Sequence, residues 1–98
     1  MRVEFKKKYL EKCFRNKSEA VKKWGTEVGT KYRKQLLLVY AANSGDDLFH
    51  IPQLHFHPLT GDRKGQYSIR LTGRARLIAE INDNTLFIVQ EVNTEHYE

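Results

Sequence analysis

The chain has 98 residues, with 17 lysines and arginines against 12 aspartates and glutamates, for a formal net charge of +5. That length holds one domain, residues 1–98, and buries about two-thirds of its unfolded surface, so neither disulfides nor a structural metal are needed for folding. A hydrophobic share of 40% excludes a disordered chain, the single cysteine, Cys13, excludes an internal disulfide framework, and no apolar run approaches the roughly 20 residues of a membrane span. The start, Met1 to Phe5, lacks the apolar stretch of a secretory signal, so a cytoplasmic protein with no membrane partner is expected.

Arg2 to Phe5 reads as a short strand, with Val3 and Phe5 on one face. Tyr9, Leu10, Cys13 and Phe14 follow at helical spacing, and Asn16-Lys17-Ser18 breaks that helix. Ser18 is expected to cap a second helix from Glu19, with Ala20, Val21 and Trp24 inward and Gly25 at its end. Thr26 is expected to cap a long helix to about Ala42, with Val28, Tyr32, Leu36, Val39 and Tyr40 three and four residues apart. Leu37, Leu38 and Ala41 widen its apolar face, which predicts a largely buried helix, and Tyr9, Trp24, Tyr32 and Tyr40 are expected in the core. Cys13, in an apolar stripe, is read as packing rather than as a nucleophile.

Asn43 to Asp47 is a turn cluster, and from Leu54 the period changes to two. Leu54 and Phe56 are expected to point inward, leaving His55 and His57 together on the outer face of a strand. Pro58 to Gly65 is a Gly-rich connection, Gln66 to Leu71 a strand, Thr72-Gly73 a hairpin turn, Arg76 to Ile81 a strand, and Thr85 to Val92 the last one. The sum is an α+β fold, in which a short N-terminal strand and helices pack on a three- or four-stranded antiparallel sheet.

Charge is segregated along the chain. Residues 1–42 carry +8, residues 43–59 carry −2, residues 60–76 carry +4, and residues 77–98 carry −5. Two basic blocks in so small a protein make a positive field suited to polyanions, nucleic acid above all. A basic membrane-surface helix is disfavoured, because Lys6 to Lys23 lacks a wide apolar face.

Residues 54–81 include His57-Pro58-Leu59-Thr60-Gly61-Asp62-Arg63-Lys64-Gly65-Gln66-Tyr67-Ser68-Ile69 and, after a hairpin, Arg76. This string resembles the RelE/ParE superfamily of toxins, most closely its HigB branch of plasmid-maintenance killer proteins. Trp24-Gly25, the long helix, Asp47-Leu48, Glu91-Val92 and His96-Tyr97 extend the resemblance over nearly the whole chain. It implies a RelE-like fold and the toxin of a type II toxin–antitoxin system: a ribosome-dependent mRNA endonuclease (an mRNA interferase) that inhibits translation. It also implies a helix-turn-helix antitoxin of HigA type as partner, with operator DNA reached only through that antitoxin. Three positions depart from the pattern. Thr60 stands where many active relatives have lysine, Ala75 where an aromatic precedes the strand arginine, and Glu95-His96-Tyr97-Glu98 replaces the familiar ending.

Metal-free RNA cleavage needs a base for the 2′-hydroxyl proton, cations for the phosphorane, and an acid for the leaving 5′-oxygen. His57 is the first proton-transfer candidate, since imidazole titrates near neutrality. Arg63, between two glycines, and Arg76, at the start of a strand, are the candidate phosphate cations, and Arg70 is expected to line the same cleft. Asp62 is expected to pin the loop by hydrogen bonds. His96 is the candidate complementary proton-transfer group, and Tyr97 the candidate base-stacking residue. Lys6, Lys7, Lys8, Lys22, Lys23, Lys64, Arg70 and Arg74 are the candidate RNA contacts, the helical lysines facing ribosomal RNA of the 70S ribosome. Four histidines without a third ligand at a recognised spacing give no metal site, and no cofactor is expected. Two alternatives stay open: a catalytically silent binding module that acts with its antitoxin in operator repression, favoured by Thr60 and the altered ending, and a ParE-like inhibitor of DNA gyrase.

Overall fold

The computed structural model describes residues 1–95 of the chain. The elements run β1 (Arg2–Phe5), α1 (Lys8–Arg15), α2 (Lys17–Trp24), α3 (Thr26–Ala41), a single turn α4 (Gly45–Leu48), β2 (His57–Pro58), β3 (Tyr67–Arg70), β4 (Arg76–Asn82) and β5 (Leu86–Asn93). Short 3-10 turns at Pro52–Leu54 and Gly61–Arg63 flank β2. The fold is α+β, with a five-stranded sheet in the order β1-β5-β4-β3-β2. Strands β2 to β5 form the antiparallel meander, and β1 pairs with β5 in parallel, Val3 opposite Phe87. A parallel neighbour cannot be reached through a hairpin, and the whole helical layer and the strands β2 to β4 lie between these two strands in the chain.

The core lies between α1–α3 and one face of the sheet, from Leu10, Tyr32, Leu36 and Val39 on the helices to Ile69, Leu77, Ala79, Phe87 and Val89 on the strands. Helices α2 and α3 approach so closely that a Cβ on Gly29 would lie 2.8 Å from the carbonyl carbon of Ala20. The Tyr32 hydroxyl donates to the Leu10 carbonyl at 2.7 Å, tying α3 to α1. Burial pushes the Tyr32 phenol well above its ordinary value. It also raises the Cys13 thiol, with a further push from Glu19, and Cys13 packs in the core as its apolar neighbours suggest.

Several local expectations are corrected. Asn16, not Ser18, caps α2: its side-chain oxygen accepts from the amides of Ser18 and Glu19. Gly25 ends α2 as expected but also serves as the N-cap of α3, in place of Thr26. Leu37 is 61% exposed, because the packed face of α3 runs through Gly29, Tyr32, Leu36 and Val39 and leaves Leu37 a quarter-turn away. Tyr9 and Tyr40 sit at the margin of the core, each 38% exposed. Tyr9 carries the Lys23 ammonium over its ring at 4.8 Å, and Tyr40 stacks on Phe14.

Candidate functional site

The far face of the sheet, turned away from the helices, holds a cleft of about 420 Å³ lined by His57, Pro58, Leu59, Thr60, Arg63, Ser68 and Arg76. Local sequence explains how these side chains meet. Phe56 is buried and stacks on Tyr67 at 5.1 Å, which sets His57 and Pro58 opposite Ser68 and Tyr67. Pro52 opens a 3-10 turn and His55 takes a left-handed conformation at φ 47°, so regular pairing begins only at His57. The expected strand from Leu54 is therefore a turn followed by a two-residue strand. Leu54 and Phe56 still point inward, but His55 and His57 are separated: His57 enters this cleft and His55 a second one.

The loop from Leu59 to Gln66 closes on itself through Leu59 N–H to Gln66 O and Gln66 N–H to Arg63 O, both at 2.9 Å. Gly61 and Gly65 adopt φ of 64° and 96°, conformations that side chains with a Cβ rarely take, and so let the loop fold over the sheet. Arg63 leaves this loop with Nη1 2.9 Å from Gln66 Oε1 and 3.0 Å from Glu91 Oε2. Asp62 is exposed and makes no hydrogen bond or ion pair among the described residues, so Gln66 and the glycines, rather than Asp62, shape the loop.

Arg76 is half-buried at the start of β4, and its guanidinium has no hydrogen bond or ion pair among the described residues. A pairing with Glu80 or Glu91 is absent there, Glu91 being engaged with Arg63. The Ser68 hydroxyl, on the same face, is fully buried and also has no hydrogen-bond partner among the described residues. The His57 ring nitrogen Nδ1 lies 3.2 Å from the Pro58 carbonyl, which leaves Nε2 as the nitrogen for a ligand when Nδ1 is the donor.

The family model for RelE-like toxins of the type II toxin–antitoxin system HigB matches residues 3–92. The chain belongs to that family of HigB-like toxins. No curated protein sequence matches it. Solved structures show the same fold. The YoeB/ParE toxin from Agrobacterium tumefaciens is similar at TM-score 0.60 and 16% identity, covering 99% of this chain and 100% of that one. YafQ from E. coli strain BL21(DE3) is similar at TM-score 0.61 and 18% identity, covering 96% and 93%. The YoeB–YefM complex from Staphylococcus aureus is similar at TM-score 0.56 and 16% identity, covering 99% and 98%; that toxin is seen with a second protein.

In this HigB-like toxin the cleft gathers His57, Arg63 and Arg76, three of the five residues expected to act together. The other two, His96 and Tyr97, lie outside the described residues. Arg70 is corrected: it lines the second cleft, with His55, beyond the end of β2. Arg74 and Lys64 are exposed on the hairpin and the loop. Lys6, Lys7, Lys8, Lys22 and Lys23 are exposed on the β1–α1 junction and α2, in the helical layer rather than beside the cleft. Thr60 lines the cleft, and Ala75 is buried in the core.

The sequence offers Glu91 only as a possible ion-pair partner of Arg76, whereas the structure pairs it with Arg63. Ile78 of β4 faces Glu91, but the next residue, Ala79, faces Val89, so Gln90 is an extra residue in β5. This bulge lets Val89 and Val92 both pack toward the core and turns Glu91 to the far face. Strand alternation alone would have put Glu91 on the core side with Phe87 and Val89, so no simple pattern could have found it.

Proposed function

We propose that this toxin is a ribosome-dependent mRNA endonuclease that cuts without a metal ion. The ribose 2′-oxygen attacks the adjacent phosphorus, a bond forms between them, and the bond from phosphorus to the 5′-oxygen breaks. The products are a 2′,3′-cyclic phosphate and a 5′-hydroxyl. One group takes the 2′-hydroxyl proton and another returns a proton to the leaving oxygen. His57 carries one of those transfers and His96 the other. Arg76 and Arg63 offset the charge that grows on the phosphorane, and Tyr97 stacks on a base.

The observation that supports this reading is the shared cleft of His57, Arg63 and Arg76, in which Arg76 is a half-buried cation lacking a protein counter-ion among the described residues. A half-buried unpaired guanidinium is costly unless an anion joins it, and a phosphate is that anion. The exposed lysines of the helical layer, with Lys64 and Arg74, fit a ribosomal RNA surface, and an A-site codon would be presented to the cleft. The toxin acts in the cytoplasm and is neutralised by a HigA-like helix-turn-helix antitoxin, through which it reaches operator DNA. Among the described residues no helix is long and apolar enough to cross a membrane.

The test is cleavage of a defined mRNA by the purified toxin, with and without programmed 70S ribosomes, read by primer extension. Cuts that need ribosomes and vanish with Arg76→Ala are expected. No cuts from folded, ribosome-binding protein would replace this reading with the silent binding module, Thr60 then standing for the lost chemistry.

A further inference from the structure

A second concavity, of about 400 Å³, lies between the N-terminal half of α3 and the β3–β4 hairpin. Its lining includes Lys31, His55 and Arg70, together with Glu27, Gln53 and Thr72. Among the described residues the side chains of Lys31, His55 and Arg70 make no hydrogen bond or ion pair. Glu27 precedes Lys31 by one helical turn, the order in which such pairs usually form, yet no ion pair joins them. The cleft thus holds two cations and an imidazole against one exposed carboxylate.

Two further features bear on its use. Arg70 and Arg76 are directly opposite in the β3–β4 ladder, on the same face, one lining each cleft. Like charges so placed destabilise a sheet, and an anion lying over them removes that cost. The floor of the second cleft is also fixed: fully buried Gln35 donates from Nε2 to the Gln53 carbonyl at 2.8 Å and the Arg70 carbonyl at 3.1 Å. A rigid wall carrying unpartnered cations is preorganised for a ligand.

We propose that this second cleft is a subsite for the phosphate of a nucleotide next to the cut. One RNA strand runs from the first cleft, over the Arg76–Arg70 pair, to Lys31 and Arg70, with His55 as a hydrogen-bonding partner. The proposal rests on the RNA-cleavage reading, but its test does not need cleavage. Binding of 2′-O-methyl oligonucleotides, which cannot be cut, is measured by fluorescence anisotropy over a range of salt for the whole toxin. A tetranucleotide is expected to show a steeper salt dependence than a dinucleotide, by about 0.7 in the log–log slope for each extra phosphate neutralised. The double variant Lys31→Gln, Arg70→Gln, with its fold checked by circular dichroism, is expected to bring the tetranucleotide slope down to that of the dinucleotide. An unchanged difference between the two slopes would overturn the subsite.

The source of the phosphate is separated on programmed ribosomes. A methylphosphonate beside the cut should slow wild-type cleavage severalfold and add nothing to the defect of the double variant. Independent, additive effects would mean that the cations touch ribosomal RNA instead, and would overturn the single-strand path. Failure of the wild type to cut at all, with the salt slopes as expected, would sink the nuclease reading and leave the subsite standing.

Discussion

Glu91 Oε2 lies 3.0 Å from Arg63 Nη1, and the bulge at Gln90 is what makes that contact available. Both side chains are more than a third exposed, at 35% for Arg63 and 40% for Glu91, so the pair contributes no more than about 1 kcal/mol to stability. Its consequence lies in geometry, since it aims a guanidinium from a glycine-flanked loop into the cleft. Glu91→Gln is expected to leave urea denaturation almost unchanged while lowering kcat on programmed ribosomes about 10- to 100-fold, with KM little altered. Glu91→Asp should fall between the two. Equal losses in stability and rate would show that Glu91 only holds the sheet together.

Arg76 and His57 should behave differently from Glu91, because in the proposed mechanism they, and not Glu91, act on the reacting groups. Arg76→Ala is expected to lower kcat by about 10²- to 10³-fold, the usual effect of removing one group that stabilises transition-state charge. His57→Gln is expected to lower it by about 10²- to 10⁴-fold. Neither should disturb folding: His57 is exposed, and Arg76 has no protein partner among the described residues whose loss could be felt. Single-turnover cleavage, with circular dichroism on each variant, checks both.

These assignments began in a string of residues, and what could be read there follows from the physics of each element. The period-two strands and the period-3.6 helices announce their inward faces, so Phe87, Val89, Tyr32 and Leu36 fall where periodicity puts them. The His57–Gly65 motif is local, and a local motif keeps its residues together when the chain folds. Strand β1 as a partner of β5 was not legible, because a parallel pairing across eighty residues leaves no mark in either segment. Arg70 went to the wrong cleft because β2 stops after two residues and exposes the end of β3 to a different neighbour. Glu91 was hidden by a bulge, whose single extra residue inverts the alternation beyond it. Leu37 was misread because an apolar residue beside an apolar stripe need not belong to it.

Gln35 is a polar side chain with no exposure, and it spans from α3 to both the Gln53 and Arg70 backbones. Gln35→Leu would fit the volume but strand two carbonyls without their donor. A loss of about 1–3 kcal/mol in urea denaturation is expected. The same variant should loosen the second cleft, so hydrogen exchange is expected to quicken around residues 53–55 and 70–73 while β5 stays protected. Uniform quickening across the sheet would mean that Gln35 supports the fold as a whole rather than this corner.

Tyr32 links stability to alkaline pH. Its phenol is buried, donates to the Leu10 carbonyl at 2.7 Å, and is held in the neutral form far above its ordinary value. In the unfolded chain tyrosine ionises near 10, roughly the value in model peptides. The unfolded state therefore sheds this proton first as pH rises, and the stability that comes from keeping the phenol neutral is intact below about pH 10 and lost progressively above it. The slope from this one group approaches about 1.4 kcal/mol per pH unit. Tyr32→Phe should be less stable than the wild type by about 1 kcal/mol at pH 8, where the hydrogen bond to Leu10 is missing and no ionisation is at stake. Between pH 10 and 11 the variant should lose stability more slowly, so the two denaturation curves converge as pH rises. Parallel loss in both proteins, measured by urea denaturation at pH 8, 10 and 11, would place the alkaline sensitivity in the lysines and the more exposed tyrosines instead.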